Sequence, residues 1–173
     1  MKRAIALLEK HNLLKIISDE LDINLEIPHI AYVEVKRPDS KAILFTNVVD
    51  RKNSKKFKEP VLMNVFCNED AVKLFIGDGD KIGSEIESLL KLKPPVTFSE
   101  KLSTLGKLFS LKNTIPKKIK GKGICQEVIK LGADAKLSDL PVIKTWEEDG
   151  GPFITMGQVY TQSLNGELKN LGM

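Results

Sequence analysis

The residues able to do chemistry are few and scattered. Gly77–Gly83 (GDGDKIG) sets two acids among three glycines. A dinucleotide loop needs the spacing G-x-G-x-x-G after a strand, whereas here the last glycine comes one residue late and a helical pattern precedes it. A calcium loop would use Asp78, Asp80 and Gly83, but Ile82 and Leu89 then occupy positions that must supply ligand oxygens. The segment therefore reads as an acidic turn between two helices. Glu147, Glu148 and Asp149 are consecutive, so their side chains diverge and make no general acid/base pair by sequence. Asp149, ahead of Gly150-Gly151-Pro152, is expected to close a tight turn by accepting from nearby backbone N–H groups. The two glycines permit left-handed angles or the close approach of another segment. Two cysteines, Cys67 and Cys125, and two histidines, His11 and His29, are too few and too dispersed for a zinc site. The cysteines read as buried, reduced thiols. His11 reads as a residue near a helix C-terminus and His29 as a partly buried packing residue. No Ser-His-Asp or Cys-His arrangement is suggested by any local motif.

These residues must be positioned by a mixed set of elements. Apolar spacing predicts a helix over about 2–11, then an extended segment. Residues 25–36 suit a short helix or strand beginning at Pro28. Lys41–Val49 and Val61–Phe66 read as strands, joined by a basic connection over 51–58 (RKNSKKFK). Asn68, followed by Glu69 and Asp70, is a helix N-cap. Ser84 with Glu87 suggests a capping box for a helix to about Leu92, which Pro94-Pro95 would stop. Ser99 would open a further amphipathic helix to about Leu111. Beyond Lys117 the texture turns to β, with strands expected over Gly123–Ile129, Val142–Trp146 and Phe153–Thr161. Ser163-Leu164-Asn165-Gly166 is a hairpin loop, since Asn-Gly favours such turns. The expectation is an α+β chain with a boundary near Ile115–Gly121. Its second unit looks cut off shortly after Leu168.

With 173 residues, 42% hydrophobic and 29% charged, the chain can bury a core without staples. That leaves room for one domain and part of a second. No apolar run approaches the length of a membrane span, and the N-terminus lacks a secretory pattern, so a cytoplasmic location is expected. The net charge of +4 rests on lysine far more than arginine. Lysine-rich stretches at 51–58 and 117–122 carry no RNA-binding signature, and they read as solvated faces with no nucleic-acid role.

One segment is more specific. Leu140–Thr155 (LPVIKTWEEDGGPFIT) resembles the entry to the central domain of the UbiD family of decarboxylases. Asn170-Leu171-Gly172-Met173 resembles the start of that family's Asn-Leu-Gly-Met-Tyr-Arg motif, and Val159-Tyr160-Thr161 fits between. Leu7–His11, Leu25–Pro28, Ile43–Val48 and Pro60–Phe66 resemble earlier family segments, so the likeness runs the whole length.

The resemblance implies an N-terminal α/β domain (1–116) followed by the first strands of a flavin-reductase-like split β-barrel (117–173). It implies a lyase that removes CO2 from a 4-hydroxybenzoate-type aromatic acid, polyprenylated in its nearest relatives, in ubiquinone or menaquinone biosynthesis. The implied cofactor is prenylated FMN, held by Mn2+ and K+. Asn170 matches a metal-ligating asparagine, and the carbonyl of Leu168 lines the potassium site. Met173 begins the stretch that contacts the flavin phosphate. Trp146 and Gly150–Thr155 are expected to serve structure at the barrel entry. The catalytic arginine and acids would lie beyond residue 173. The polypeptide by itself is therefore expected to be inactive and to hold neither metal nor flavin. A homo-oligomer is expected, the parent enzyme is open to peripheral membrane association, and residues 150–173 are expected to self-associate or be disordered. The alternatives are a standalone basic module for RNA or a protein partner, and a structural or regulatory domain.

Overall fold

Nine residues of alternating hydrophobic and charged character, Lys2–Lys10, form α1, which buries Leu8. It ends where Asn12 takes a left-handed angle (φ 57°), a conformation asparagine tolerates. The computed structural model describes residues 1–91 and 120–172, apart from the side chain of Cys125. The chain divides into two compact units, one made of Met1–Ile76 with Lys136–Met173 and the other of Gly77–Ala135.

In the first unit, β1 (Leu14–Asp22), α2 (Glu26–Val35) and β2 (Ala42–Asp50) form a crossover. The two strands run parallel, from Leu14 opposite Ala42 to Asp22 opposite Val49, with a bulge between Ile17 and Glu20. A parallel pair needs such a connection because a hairpin cannot reverse the chain twice. β2 is the central strand and is buried almost throughout, as its apolar run requires when both faces are covered. Along its other edge it pairs antiparallel with β3 (Lys55–Lys56) and β4 (Val61–Met63). α2 begins two residues before Pro28, which sits in the first turn where its missing N–H costs no helical hydrogen bond. Ile27, Ala31 and Glu34 share its buried face. The core cluster joins Ile23, Ile27, Ile43, Phe45, Val48 and Phe57 to Ile143, far along the chain.

α3 (Glu69–Ile76) starts at the expected cap, with the Ala71 N–H donating to Asn68 Oδ1 at 2.9 Å. Ser40 ties this corner to the sheet. Its Oγ donates to the Cys67 carbonyl at 2.6 Å, and its own carbonyl accepts from Asn68 Nδ2 at 2.8 Å. Downstream, β5 (Val159–Gln162) and β6 (Lys169–Gly172) form the expected hairpin. Its loop is closed by the Ser163 N–H on the Leu168 carbonyl, and Gly166 takes φ 75°. The second unit contains α4 (Gly79–Leu90) and short 3-10 turns at Ile124–Gln126 and Gly132–Asp134. The fold class is α+β.

Several local expectations are corrected. The capping box at Ser84 does not form: Asp78 caps α4 by accepting from the N–H groups of Asp80 and Lys81. Ser84 lies inside the helix, its Oγ bonded back to the Asp80 carbonyl. Gly123–Ile129 makes a 3-10 turn, not a strand, closed by reciprocal Gly123–Gln126 hydrogen bonds. Its apolar residues Ile124 (86%) and Val128 (78%) face solvent, and no strand among the described residues pairs with it. Val142–Trp146 contributes a single bridge. β4 stops at Met63 because Asn64 turns left-handed (φ 56°), and Met156 (φ 56°) likewise interrupts the expected strand over 153–161. His29 is exposed, because Ile27 and Ala31 take the inward face of α2. The basic connection 51–58 holds a turn and β3. The helix expected over 99–111, the stop at Pro94-Pro95 and Met173 lie outside the described residues.

Candidate functional site

The segment carrying the most specific sequence pattern, Leu140–Thr155, is laid against the edge of the N-terminal sheet. The Lys144 N–H donates to the Ile23 carbonyl and the Leu25 N–H to the Lys144 carbonyl, each at 3.1 Å. Ile143, the residue before this bridge, is only 6% exposed and enters the core. The bridge depends on Leu25, which occupies φ 70°, ψ −33°. The Glu26 N–H closes back on the Asn24 carbonyl at 3.0 Å, making a tight three-residue turn that is strained for a residue with a side chain.

Charge–dipole contacts hold that turn. Glu26 Oε2 accepts from the Asp22 N–H at 2.9 Å, and Glu26 Oε1 pairs with Arg51 Nη1. The Arg51 guanidinium, first, and the Asp22 N–H hold the Glu26 carboxyl below its ordinary range, and the same hydrogen bond raises Arg51. Asp22, itself buried, accepts from the Asn24 N–H at 3.0 Å. On the opposite flank Lys55 Nζ donates to the Ser138 carbonyl (2.6 Å) and to Asp139 Oδ1 (3.0 Å), fastening the 3-10 turn Leu137–Asp139. Lys56 pairs with Glu20 at 3.5 Å. Three basic residues of the 51–58 stretch are thus engaged within the chain.

The acidic turn behaves as its sequence suggests. The Trp146 N–H donates to Asp149 Oδ2 at 2.9 Å and the Asp149 N–H to the Trp146 carbonyl at 3.2 Å. Gly150 and Gly151 take no positive φ, and nothing lies within 4 Å of where their Cβ atoms would sit. Trp146 stands edge-on to Tyr32 of α2, ring centres 5.5 Å apart, and Lys36 Nζ lies 5.0 Å from the Tyr32 ring. These two rings wall an apolar groove of about 360 Å³ floored by Leu25, Pro28 and Met63. Sequence reasoning missed Tyr32 and this groove. An aromatic on the outward side of a helix was the available signal, and it carries no spacing rule.

The hairpin carries the candidate cation donors. Asn170, opposite Thr161 on β6, is exposed. The Leu168 carbonyl already accepts from the Ser163 N–H at 2.9 Å and lies 3.4 Å from Ser163 Oγ. Amide and carbonyl oxygens are hard donors suited to Mn2+ or K+. Among the described residues no group of three or more His, Cys, Asp or Glu could hold a metal ion. The donors fit a hard cation in kind and fall short of it in number. The structure does not bring Asn170 and the Trp146 turn into one site. Cys67 is a buried free thiol, and burial pushes it above its ordinary range, which disfavours the thiolate. Among the described residues no helix is long and apolar enough to cross a membrane.

Comparison with known proteins covers both the N-terminal sheet and the Leu140–Thr155 segment. A family model described as the 3-octaprenyl-4-hydroxybenzoate carboxy-lyase N-terminal domain matches residues 5–90. A second, described as the Rift-related domain of the same carboxy-lyase, matches residues 117–173. The chain is 43% identical over 178 residues to an uncharacterized protein of Helicobacter pylori (strain 26695), covering 100% of this chain and 28% of that protein. The counterpart in Helicobacter pylori strain J99 is 42% identical with the same coverage. An uncharacterized protein of Aquifex aeolicus is 37% identical over 169 residues, covering 96% of this chain and 33% of its own length. The chain thus spans a third or less of these relatives, and its two matched regions establish that it belongs to the UbiD carboxy-lyase family.

Proposed function

We propose that this chain is the amino-terminal portion of a non-oxidative decarboxylase that releases CO2 from a 4-hydroxybenzoate-type acid, with or without a polyprenyl tail, in ubiquinone or menaquinone biosynthesis. The observation that carries this reading is the pair of family matches over 5–90 and 117–173, the second of which contains Trp146, Asp149–Thr155 and Asn170. This reading takes domain limits near 1–116 and 117–173, with the second domain as the start of a split β-barrel; matches over 5–90 and 117–173 support a division between them.

Prenylated FMN, when bound, supplies the electron sink that an aryl carbanion requires and that protein side chains lack. This chain's part is to position the cofactor's anchor. With the group bound, Asn170 would hold Mn2+ through its amide oxygen, the Leu168 carbonyl would serve K+, and Met173 would belong to the phosphate-binding stretch. The Leu140–Thr155 segment joins that region to the N-terminal sheet. One side-chain ligand leaves a divalent cation largely hydrated, so the 173-residue chain retains neither cation nor flavin and is inactive. The working protein is a cytoplasmic homo-oligomer open to peripheral membrane contact.

Two measurements test the reading. The protein expressed from its native gene, supplied with prenylated FMN, releases CO2 from a 4-hydroxybenzoate-type acid, and Asn170→Ala lowers its manganese content at least about tenfold. No CO2 from any hydroxybenzoate, or unchanged manganese in Asn170→Ala, refutes it. The 173-residue chain, assayed by metal analysis and visible absorbance, contains less than a tenth of an equivalent of either group. A stoichiometric flavin band overturns that part.

A further inference from the structure

We propose that the apolar grooves flanking the 137–155 segment form one continuous track that cradles an isoprenoid tail. This inference rests on the carboxy-lyase reading, and it adds a binding site on the N-terminal unit to it.

Three grooves adjoin through shared residues. The first, between Tyr32 and Trp146, runs to Met63. The second, about 240 Å³, begins at Met63 and reaches Leu140, Val142, Phe153 and Ile154. The third, about 480 Å³, shares those last four residues and ends at Phe57 and Asn53. The linings are apolar. The middle groove contains no charged side chain, while Glu147 and His29 stand in the first and Asp50 in the third. The outer two grooves are at the low end of the range for a compact ligand, and the middle one falls below it. Joined end to end they suit a long, narrow one.

The exposed side chains agree. Trp146 (56%), Phe153 (48%) and Ile154 (59%) leave large apolar surfaces in water beside this track. A cluster of that kind marks a ligand or partner surface more often than chance exposure. The occupant is chosen by chemistry on both sides. The matched family is described by an octaprenyl acid, whose tail is a chain of repeating branched apolar units with no polar group along it. A track without charged groups in its middle offers such a tail burial and offers a charged or peptidic ligand nothing to pair with.

The experiment titrates the 173-residue chain with geraniol, farnesol and geranylgeraniol, below their aggregation limits. It reads the fluorescence of Trp146, the one tryptophan of the sequence. The expected result is saturable quenching, with affinity rising roughly tenfold per added isoprene unit, because each unit buries further apolar surface. Phe153→Gln and Ile154→Gln each weaken farnesol binding at least tenfold, with far-UV circular dichroism unchanged. Leu164→Gln, on the hairpin loop, leaves it unchanged. If a groove variant loses its fold, Leu140→Gln, at a half-exposed position, takes its place. Three results overturn the proposal: affinity independent of tail length, equal binding of straight-chain alkanols of matched carbon number, or an equal effect of Leu164→Gln. Loss of tail binding in the longer native protein, where other chain segments would then cover the track, also overturns it. The two readings fail separately. Tail binding without CO2 release from any acid sinks the decarboxylase and spares the track; CO2 release without tail binding does the reverse.

Discussion

Replacing Ile143 with alanine tests whether the Leu140–Thr155 segment folds as part of the N-terminal sheet. Ile143 is 6% exposed and packs in the same cluster as Ile23, Ile27, Phe45 and Phe57, more than eighty positions earlier in sequence. Truncation removes three buried carbons and leaves a void. Fully enclosed sites of this kind lose about 2–5 kcal/mol. Ile143 also lines an open groove, so the surroundings collapse more easily and the lower part of that range applies, about 2–3 kcal/mol. For a chain of this size that lowers the thermal midpoint by roughly 4–12 °C. The backbone bonds of Lys144 to Ile23 and Leu25 do not involve the side chain, so the native geometry survives the change. The assay is urea unfolding followed both by Trp146 emission and by far-UV circular dichroism. Both signals should move together, with the midpoint lowered and the slope unchanged. A loss below about 0.5 kcal/mol, as for a surface substitution, would refute the reasoning. So would a Trp146 transition at lower urea than the backbone transition, since the segment would then be detachable from the sheet.

Other consequences are simpler to check. Leu25→Ile should destabilise by about 1–2 kcal/mol, because a β-branched side chain resists a positive φ, while Leu25→Gly should stay within about 1 kcal/mol of the parent in the same urea assay. The Glu26 carboxyl, held below its ordinary value of 4.5 by Arg51 and the Asp22 N–H, contributes stability that is complete above that pH and is lost as pH falls through the depressed folded-state value. Glu26→Gln should therefore flatten the stability curve below pH 4.5 by a small amount, as both side chains are nearly half exposed; an unchanged curve contradicts the pairing. Cys67 should resist alkylation in the folded chain and react on unfolding, with its own peptide followed by mass spectrometry. Rapid native labelling would contradict its burial.

What could be read from the residues alone was local chemistry and the family pattern. The cap at Asn68, the end of the first helix near His11, the Asp149 turn and the hairpin around Asn165-Gly166 each depend on a side chain and its near neighbours. The pattern of Leu140–Thr155, which carries the family resemblance, is likewise a run of neighbouring residues. Where local signals compete, the winner lies a few residues away or in a missing partner. Asp78 captured the start of α4 ahead of Ser84, and Gly123–Ile129 had strand-like composition but gained no partner strand. The polar β1, with Lys15, Asp19 and Glu20 facing out, has a weak pattern of its own; it becomes a strand because β2 offers a row of backbone partners.

Tertiary packing decided the rest. Only folding brings Ile143 into a core built from residues 23–57, sets Trp146 edge-on to Tyr32, and places three apolar grooves beside one another with lining residues in common. Those relations join residues as far as about 130 positions apart. Their energy comes from non-directional burial of apolar surface, which leaves no spacing signature along the chain.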